Sequence, residues 1–258
     1  MIYNYHTHTE RCGHAKGSEE DFIKRAIENG IKYMGFSDHF PFLRSDGKES
    51  SFRIPLNMVD DYFDTINALR EKYKNEIDIK IGFEMEYYPE NFAEMLENAK
   101  KYGAEYLIMG EHFTEEELDG VESSGEPSDS VEKLKNYADC LCEGIASGAF
   151  TYIAHPDLIN FTGDEDIYVS EIRRICRASR EYDIPLELNF LGMREGRHYP
   201  VDLFWKIVGD ERSPVTFGFD AHSVRAAFDG ASLEKAREMV KEYNLNYIGM
   251  PKLRPLGE

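Results

Sequence analysis

Cysteines and long apolar runs are scarce in this chain, and basic residues are outnumbered by acidic ones. Only four cysteines occur among 258 residues, too few for a disulfide scaffold, so we expect all four to be reduced thiols. No apolar run approaches the roughly 18 residues that a membrane span requires. The residues after Met1 also lack the pattern of a secretory signal. These absences argue against a disulfide-rich secreted protein or a membrane protein, and we expect a cytoplasmic one.

The charge balance limits the possible partners. Lys and Arg number 30 against 49 Asp and Glu, a formal net charge of −19 at pH 7. Because binding to a polyanion depends on Lys and Arg neutralising phosphates, we expect no nucleic-acid partner, and we expect no membrane partner either. A small phosphorylated substrate stays possible, because bound divalent ions can reverse the potential inside a site.

Strand-like and helix-like segments alternate along the whole chain. Apolar, β-rich runs predict seven strands, at 2–6, 32–37, 77–84, 105–110, 150–154, 184–189 and 214–220. Helical periodicity predicts seven helices, at 18–29, 57–75, 91–102, 130–147, 166–182, 200–209 and 232–243. Ser18 with Asp21 predicts the start of the first helix, and Asn29-Gly30 predicts its end. Such alternation predicts a parallel α/β sheet, in a single domain over residues 1–258.

Histidines are placed at or just after the ends of the short apolar runs. Seven of the eight histidines stand there: His6, His8, His14, His39, His112, His155 and His222. In H-T-H, His6 and His8 share one face of a strand end and form a chelate that suits zinc, manganese or iron better than magnesium or calcium. A pair of structural histidines is the alternative for these two alone. The five other histidines in equivalent places favour a metal site.

The positions of the predicted ligands distinguish between an open sheet and a barrel. Six of them fall at the carboxyl ends of different strands: His8, His39, Glu84, His112, His155 and Asp220. In a barrel these ends converge on one mouth, where active sites are built. An open doubly wound sheet gathers ligands at a switch point between two strands. The sequence therefore predicts a barrel.

Two long connections, 40–56 and 113–129, are candidates for lids over the site. Ordinary solvated surface is the alternative, above all for the acidic second loop. Within that loop we expect Glu117 to be exposed and to tolerate substitution.

A series of short motifs resembles the polymerase and histidinol phosphatase (PHP) family. The motifs are H-T-H-T at 6–9, G-H at 13–14, S-D-H at 37–39, G-F-E at 82–84, E-H at 111–112, A-H-P-D at 154–157 and F-D-A-H-S at 219–223. Their order and spacing match along the whole chain, apart from the acidic Glu111 before His112, where a small or apolar residue is expected. The resemblance implies a distorted seven-stranded (βα) barrel of the TIM type that holds two or three divalent metal ions.

The family's ligand sets are carried over residue by residue. They imply one ion on His6, His8, Glu84 and Asp220, a second on Glu84, His112 and His155, and a third on His14, His39 and His222. Three divalent ions, zinc, manganese or iron, against two acidic ligands would leave a positive pocket that favours an anion. A water bridging two ions would be deprotonated near neutral pH and would attack phosphorus, with Glu84 as the bridging carboxylate of the catalytic centre.

Within the family, E-L-N-F-L-G-M-R-E-G-R-H-Y-P at 187–200 is similar to the histidinol-phosphate phosphatases. Arg197 and Arg194 in this stretch are candidates to clamp a phosphate bidentately, and solvated loop arginines are the alternative. His198 is a candidate to stack on or hydrogen-bond a substrate imidazole, and a structural role is the alternative.

Two acidic residues beside the ligands need separate interpretation. Asp38 points to the strand face opposite His39, so we predict a carboxylate that orients an imidazole, or a proton donor if the strand end bends. Glu86, two residues past Glu84, is interpreted as a solvated carboxylate.

The resemblance implies hydrolysis of L-histidinol phosphate to L-histidinol and phosphate. A phosphoesterase for another small metabolite, a nucleotide or a nucleic-acid 3′ end is the alternative within the family, and the acidic charge argues against polynucleotides. A non-enzymatic metal-binding barrel is disfavoured by the nine ligands. An amidohydrolase-type barrel usually relies on a lysine bridge, and no lysine stands at a strand end.

Overall fold

The alternating segments fold as alternating strands and helices. The computed structural model describes residues 1–256. Its strands are β1 (Tyr3–Asn4), β2 (Tyr33–His39), β3 (Asp78–Met85), β4 (Tyr106–Met109), β5 (Leu186–Asn189), β6 (Pro214–Gly218) and β7 (Asn246–Tyr247). Its helices are α1 (Glu19–Glu28), α2 (Val59–Tyr73), α3 (Phe92–Tyr102), α4 (Val131–Ser147), α5 (Glu165–Tyr182), α6 (Phe190–Glu195), α7 (Asp202–Glu211) and α8 (Gly230–Glu242).

The strands form two parallel sheets that curl toward each other. One sheet has the order β1-β2-β3-β4 and the other has the order β5-β6-β7. Single parallel bridges from Ile153 to Met109 and to Leu186 join the sheets on one side, and a bridge from Thr7 to Ala221 joins them on the other. The α/β class is confirmed. A continuous seven-stranded barrel is not seen, because these junctions are single bridges.

Two strand predictions differ from the structure. The predicted strand at 150–154 is reduced to the bridges of Ile153, and the chain turns at His155, where φ is 30°. Conversely, the sequence analysis missed β7, which pairs with the first residues of β6. Of its two residues, Asn246 is partly buried and Tyr247 is exposed, so they carry no apolar pattern.

All seven predicted helices are present, with bounds that differ from the predictions by two residues at most. Ser18 accepts a hydrogen bond from the Asp21 amide at the start of α1, as predicted. The sequence analysis missed α6, which begins at a cap made by Asn189 and ends at Gly196 (φ 64°). The four cysteines are all free. Among residues 1–256, no helix combines the length and apolar character needed to cross a membrane.

A layer of tyrosines fills the space between the sheets. Tyr3, Tyr5, Tyr106 and Tyr152 form one buried cluster with Ile108 and Ala154. The Tyr106 hydroxyl donates to the Tyr5 carbonyl over 2.8 Å. Gly35 makes room for this ring, because a Cβ there would lie 2.1 Å from the Tyr106 hydroxyl oxygen.

Gly35→Ala should therefore destabilise the fold. Overpacking a rigid, enclosed ring costs about 1–3 kcal/mol, which lowers the melting temperature by several degrees. Gly230→Ala is the matched control, since a Cβ there meets only the Phe228 ring at 3.5 Å. Thermal unfolding followed by circular dichroism checks this, and equal melting temperatures for wild type and Gly35→Ala would contradict the packing described.

Candidate metal centre

The carboxyl ends of the strands surround one cavity of about 550 Å³. Eight of the nine predicted metal ligands line it: His8, His14, His39, Glu84, His112, His155, Asp220 and His222. The ninth, His6, is completely buried, with its Nε2 3.6 Å from a Glu84 oxygen and 3.5 Å from an Asp220 oxygen. The structure thus brings together residues that are spread over more than 200 positions of sequence.

Glu84 lies at the centre of the cluster. Its carboxylate is 1% exposed, and its two oxygens face different imidazoles. Oε2 lies 3.6, 3.5 and 3.2 Å from ring nitrogens of His6, His8 and His39, and Oε1 lies 2.8 and 3.7 Å from Nε2 of His155 and His112. Gly110 permits this position, because a Cβ there would lie 2.0 Å from Oε1. One carboxylate therefore faces ligands of all three predicted sets.

Asp220 is the second carboxylate of the cluster. Its Oδ1 lies 3.5 Å from His6 Nε2, 3.2 Å from His8 Nε2 and 3.1 Å from His222 Nδ1. Its backbone φ is 47°, which is unusual for a residue other than glycine. His155 shares this feature, with φ 30°. Strained backbone of this kind concentrates at functional sites, where the surrounding structure maintains it.

The third predicted set also assembles. Nitrogen atoms of His14, His39 and His222 lie within 4.8 Å of one another, close enough for one ion. Nε2 of His14 and Nε2 of His222 face each other across 3.0 Å. His14 is the exposed member of this set and is carried by the connection after β1.

A layer of carboxylates outside the cluster orients the imidazoles. Nδ1 of His6 lies 2.9 Å from Glu187, and Nδ1 of His112 lies 2.9 Å from Glu86. Nδ1 of His8 lies 3.4 Å from Asp38. A carboxylate only accepts hydrogen bonds, so each Nδ1 carries a proton, and each Nε2 faces the centre of the cluster. This is the usual outer arrangement of histidine ligands in metal sites.

The inner atoms of the cluster lack hydrogen-bond partners. Within residues 1–256, this holds for Nε2 of His6 and of His8, Nδ1 of His39, Oε2 of Glu84 and Oδ1 of Asp220, all of them buried. Buried polar atoms are normally satisfied. Nitrogen and carboxylate ligand atoms that converge in this way fit divalent ions such as zinc.

The electrostatics of the cluster differ from group to group: neighbouring carboxylates raise the pKa of His6 and His8 despite their burial, whereas Glu84 and His39 are held in the forms that bind metal. Burial raises the pKa of Glu84, but His112, His39 and His6 outweigh this effect and hold that pKa well below its ordinary value. Burial, together with neighbouring imidazoles, lowers the pKa of His39 well below its ordinary value. Glu84 is therefore ionised and His39 neutral at pH 7, as metal ligands must be.

Asp38 lies outside the cavity. It is completely buried, and one of its oxygens accepts hydrogen bonds from the backbone amide and hydroxyl of Thr9. Its other oxygen lies 3.4 Å from Nδ1 of His8 and accepts a hydrogen bond from the His39 backbone amide over 2.9 Å. Asp38 is therefore placed to orient the His8 ring.

The predicted substrate residues divide into two groups. Arg197 lines the cavity, where its guanidinium pairs with Glu195 at 2.7 Å. His198 lies in an adjoining cavity of about 390 Å³, with its Nε2 2.8 Å from the Leu158 carbonyl oxygen. Arg194 lies outside the main cavity, contrary to the expected phosphate contact. It donates to the Asp220 carbonyl over 3.0 Å and pairs with Asp229, because α6 turns its side chain away from the mouth.

Two acidic residues are corrected by the structure. Glu86 is 1% exposed and pairs with Arg53 at 2.6 Å, so it is not a solvated carboxylate. Glu117 is 4% exposed and pairs with Arg53 at 3.0 Å, so the expectation of an exposed, tolerant position is wrong. Both errors have one cause: a buried arginine from the first long loop pairs with both carboxylates.

Glu187 is the functional residue that the sequence analysis missed. It is completely buried in β5 and holds both the His6 ring and the His155 amide, the latter over 3.1 Å. Gly218 leaves space for it, because a Cβ there would lie 1.6 Å from its Oε1. The available signal was an acidic residue inside the apolar run L-E-L-N, where a charge without a partner is costly.

Comparison with known proteins agrees with this geometry. The sequence pattern of the PHP domain matches residues 4–190. The chain belongs to the PHP domain family. A Deinococcus radiodurans protein described as "Probable histidinol-phosphatase" is 26% identical over 232 residues, which are 84% of this chain and 85% of that protein. The histidinol-phosphatase of Lactococcus lactis subsp. lactis is 23% identical over 256 residues, 93% of this chain and 90% of the relative.

Among solved structures, the histidinol phosphate phosphatase of Lactococcus lactis, complexed with zinc, L-histidinol and phosphate, superposes with a TM-score of 0.72. The match covers 95% of each chain at 20% identity. The α/β fold, with curled parallel sheets like those of PHP proteins, is therefore confirmed, and the closed seven-stranded barrel stays a prediction.

Glu84→Gln should lose bound metal and activity together, because the amide removes the charge that faces all three ligand sets. We expect a loss larger than the roughly 100-fold that removing an outer partner of a metal ligand costs. Zinc content by mass spectrometry and turnover check this. Glu71→Gln is the control, since that carboxylate is 73% exposed. An unchanged metal count in Glu84→Gln would remove Glu84 from the centre.

Proposed function

We propose that this protein is a metal-dependent phosphomonoesterase that hydrolyses L-histidinol phosphate to L-histidinol and phosphate. The observation that carries the proposal is the pair of buried carboxylates, Glu84 and Asp220, ringed by unpartnered imidazole nitrogens at the floor of a cavity. The substrate follows from the names of the relatives and from the similarity of residues 187–200 to that group of phosphatases.

Three divalent ions, zinc, manganese or iron, are proposed as cofactors. The three ligand sets given above would hold them, with Glu84 as the bridging carboxylate. The nitrogen-rich donor set favours these metals over magnesium or calcium. When bound, such ions supply an ionised water at neutral pH and neutralise charge on phosphoryl oxygens.

The chain's own residues have distinct roles in this proposal. Glu187, Asp38 and Glu86 fix the ring orientations of His6, His8 and His112 from outside. Arg197 at the cavity wall binds the substrate phosphate, which replaces Glu195 as the partner of its guanidinium. His198, beside the same wall, contacts the alcohol portion of the substrate.

We further propose that the two curled sheets act as one closed, distorted seven-stranded barrel. The bridges at Ile153 and between Thr7 and Ala221 support closure on both sides. A closed barrel explains how ligands from seven chain segments reach a single cavity.

Phosphate release by metal-replete protein tests the proposed function. Histidinol phosphate is compared with phosphorylated amino alcohols, sugar phosphates and nucleotides under equal conditions. We expect histidinol phosphate to give the highest kcat/KM and chelator treatment to abolish release. Preference for a nucleotide or sugar phosphate would reassign the substrate. No release from any phosphomonoester, with three ions bound, would contradict the enzymatic proposal.

Arg197→Ala should raise KM for the substrate without changing the metal content. A charge-assisted contact with phosphate is worth about 1.5–3 kcal/mol, so kcat/KM should fall roughly tenfold to a hundredfold. Arg177→Ala, on the exposed side of α5, is the control. Steady-state kinetics and inhibition by inorganic phosphate measure the effect, and wild-type values for Arg197→Ala would remove this residue from the phosphate site.

A further inference from the structure

One arginine from the first long loop is buried beside the metal centre. The side chain of Arg53 is 1% exposed. Nη1 donates to Glu86 Oε2 over 2.6 Å, and Nη2 donates to Glu117 Oε2 over 3.0 Å. Further contacts reach the carbonyl of Phe40 at 3.4 Å and the hydroxyl of Tyr88 at 3.3 Å. A charge buried this deeply is stable only with such a full set of partners.

Glu86 connects this arginine to a predicted metal ligand. Its Oε2 accepts from Arg53, and its Oε1 accepts from Nδ1 of His112 over 2.9 Å. On the other side of the ring, His112 Nε2 lies 3.7 Å from Glu84. The contacts therefore form a continuous chain from the loop through Glu86 and His112 to the central carboxylate.

We propose that Arg53 is a positioning residue of the metal centre, which fixes the His112 imidazole through Glu86. This inference rests on the proposed function in one respect, the assignment of His112 as a metal ligand. In the absence of Arg53, Glu86 would keep a single strong partner and could rotate, and the His112 ring would no longer have a fixed direction. The fork of the guanidinium matters because it holds Glu86 and Glu117 at once.

The same loop supplies part of the cavity wall. The Phe52 ring, which lines the cavity, lies under the Arg53 guanidinium, with the guanidinium carbon 4.8 Å from the ring centroid. Phe52 also meets the His39 ring edge-on, with centroids 5.1 Å apart. Through Glu117, Arg53 joins this loop to the second long loop. The residue that orients His112 thus also fixes the two loops on that side of the cavity.

Arg44 provides a matched control for the loss of a link between the first and the second long loop. Arg44 belongs to the same first loop and also pairs across to the second loop, with Asp119 at 2.9 Å. It makes no contact with Glu86; its other carboxylate partner is Asp46. Arg44→Met therefore removes a link between the loops and leaves the chain of contacts to His112 intact.

The test is a double-mutant cycle on zinc affinity, measured by competition with a chromophoric chelator. Glu86→Gln should weaken the most affected zinc site by about 10–100-fold, as outer partners of histidine ligands do. Arg53→Met should weaken the same site by about tenfold in the wild-type background and by less than about twofold in the Glu86→Gln background. Arg53→Lys should recover part of the loss, and Arg44→Met should match wild type.

Equal effects of Arg53→Met in both backgrounds would overturn the proposal, because the arginine would then act independently of Glu86. Wild-type zinc affinity in Arg53→Met would overturn it as well. If Arg53→Met does not fold, as judged by circular dichroism, Arg53→Lys replaces it in both arms, with a smaller loss expected under the same criterion. Zinc affinity needs no substrate, so an incorrect substrate assignment leaves this test unaffected.

Discussion

The structure depends on one buried carboxylate, that of Glu84, which is surrounded by five imidazoles and keeps one oxygen without a hydrogen-bond partner in the described part of the chain. Its burial alone would favour the protonated form, and the surrounding histidines reverse that preference. Three of these histidines, His6, His8 and His112, have their far nitrogen beside an outer carboxylate, which accounts for Glu187, Asp38 and Glu86. The polar interior is therefore organised in two layers: imidazoles around the carboxylates of Glu84 and Asp220 inside, and further carboxylates outside.

The fold supports this arrangement by delivering residues from many strands to one edge. Parallel strands all end at the same side, so ligands separated widely in sequence become neighbours. Glycines leave the space that the buried carboxylates need: Gly110 lies against the Glu84 carboxylate, and Gly218 lies against that of Glu187. The long loops then close one side of the cavity, with Arg53 buried between them.

The sequence predicted the helices and the residues of the central cluster well, because both produce local signals. Helical periodicity and capping residues mark α1, and H-T-H marks a strand end with two donors on one face. Long-range pairings gave no such signal. The partners of Arg53 are 33 and 64 residues away, so neither its burial nor that of Glu86 and Glu117 could be inferred from neighbouring residues. Arg194 was misplaced because α6, a helix of six residues, was read as an open loop.

The central claim is that the Glu84 cluster is a metal centre, and anomalous scattering from crystals of metal-replete protein tests it most directly. The account predicts three anomalous peaks in the cavity, two of them within about 2.0–2.2 Å of Glu84 carboxylate oxygens. It also predicts that the nitrogen ligands nearest to these two peaks come from His6, His8, His112 and His155. Crystals grown with zinc that show no peak beside Glu84, while its carboxylate instead hydrogen-bonds directly to the surrounding imidazoles, would contradict the account.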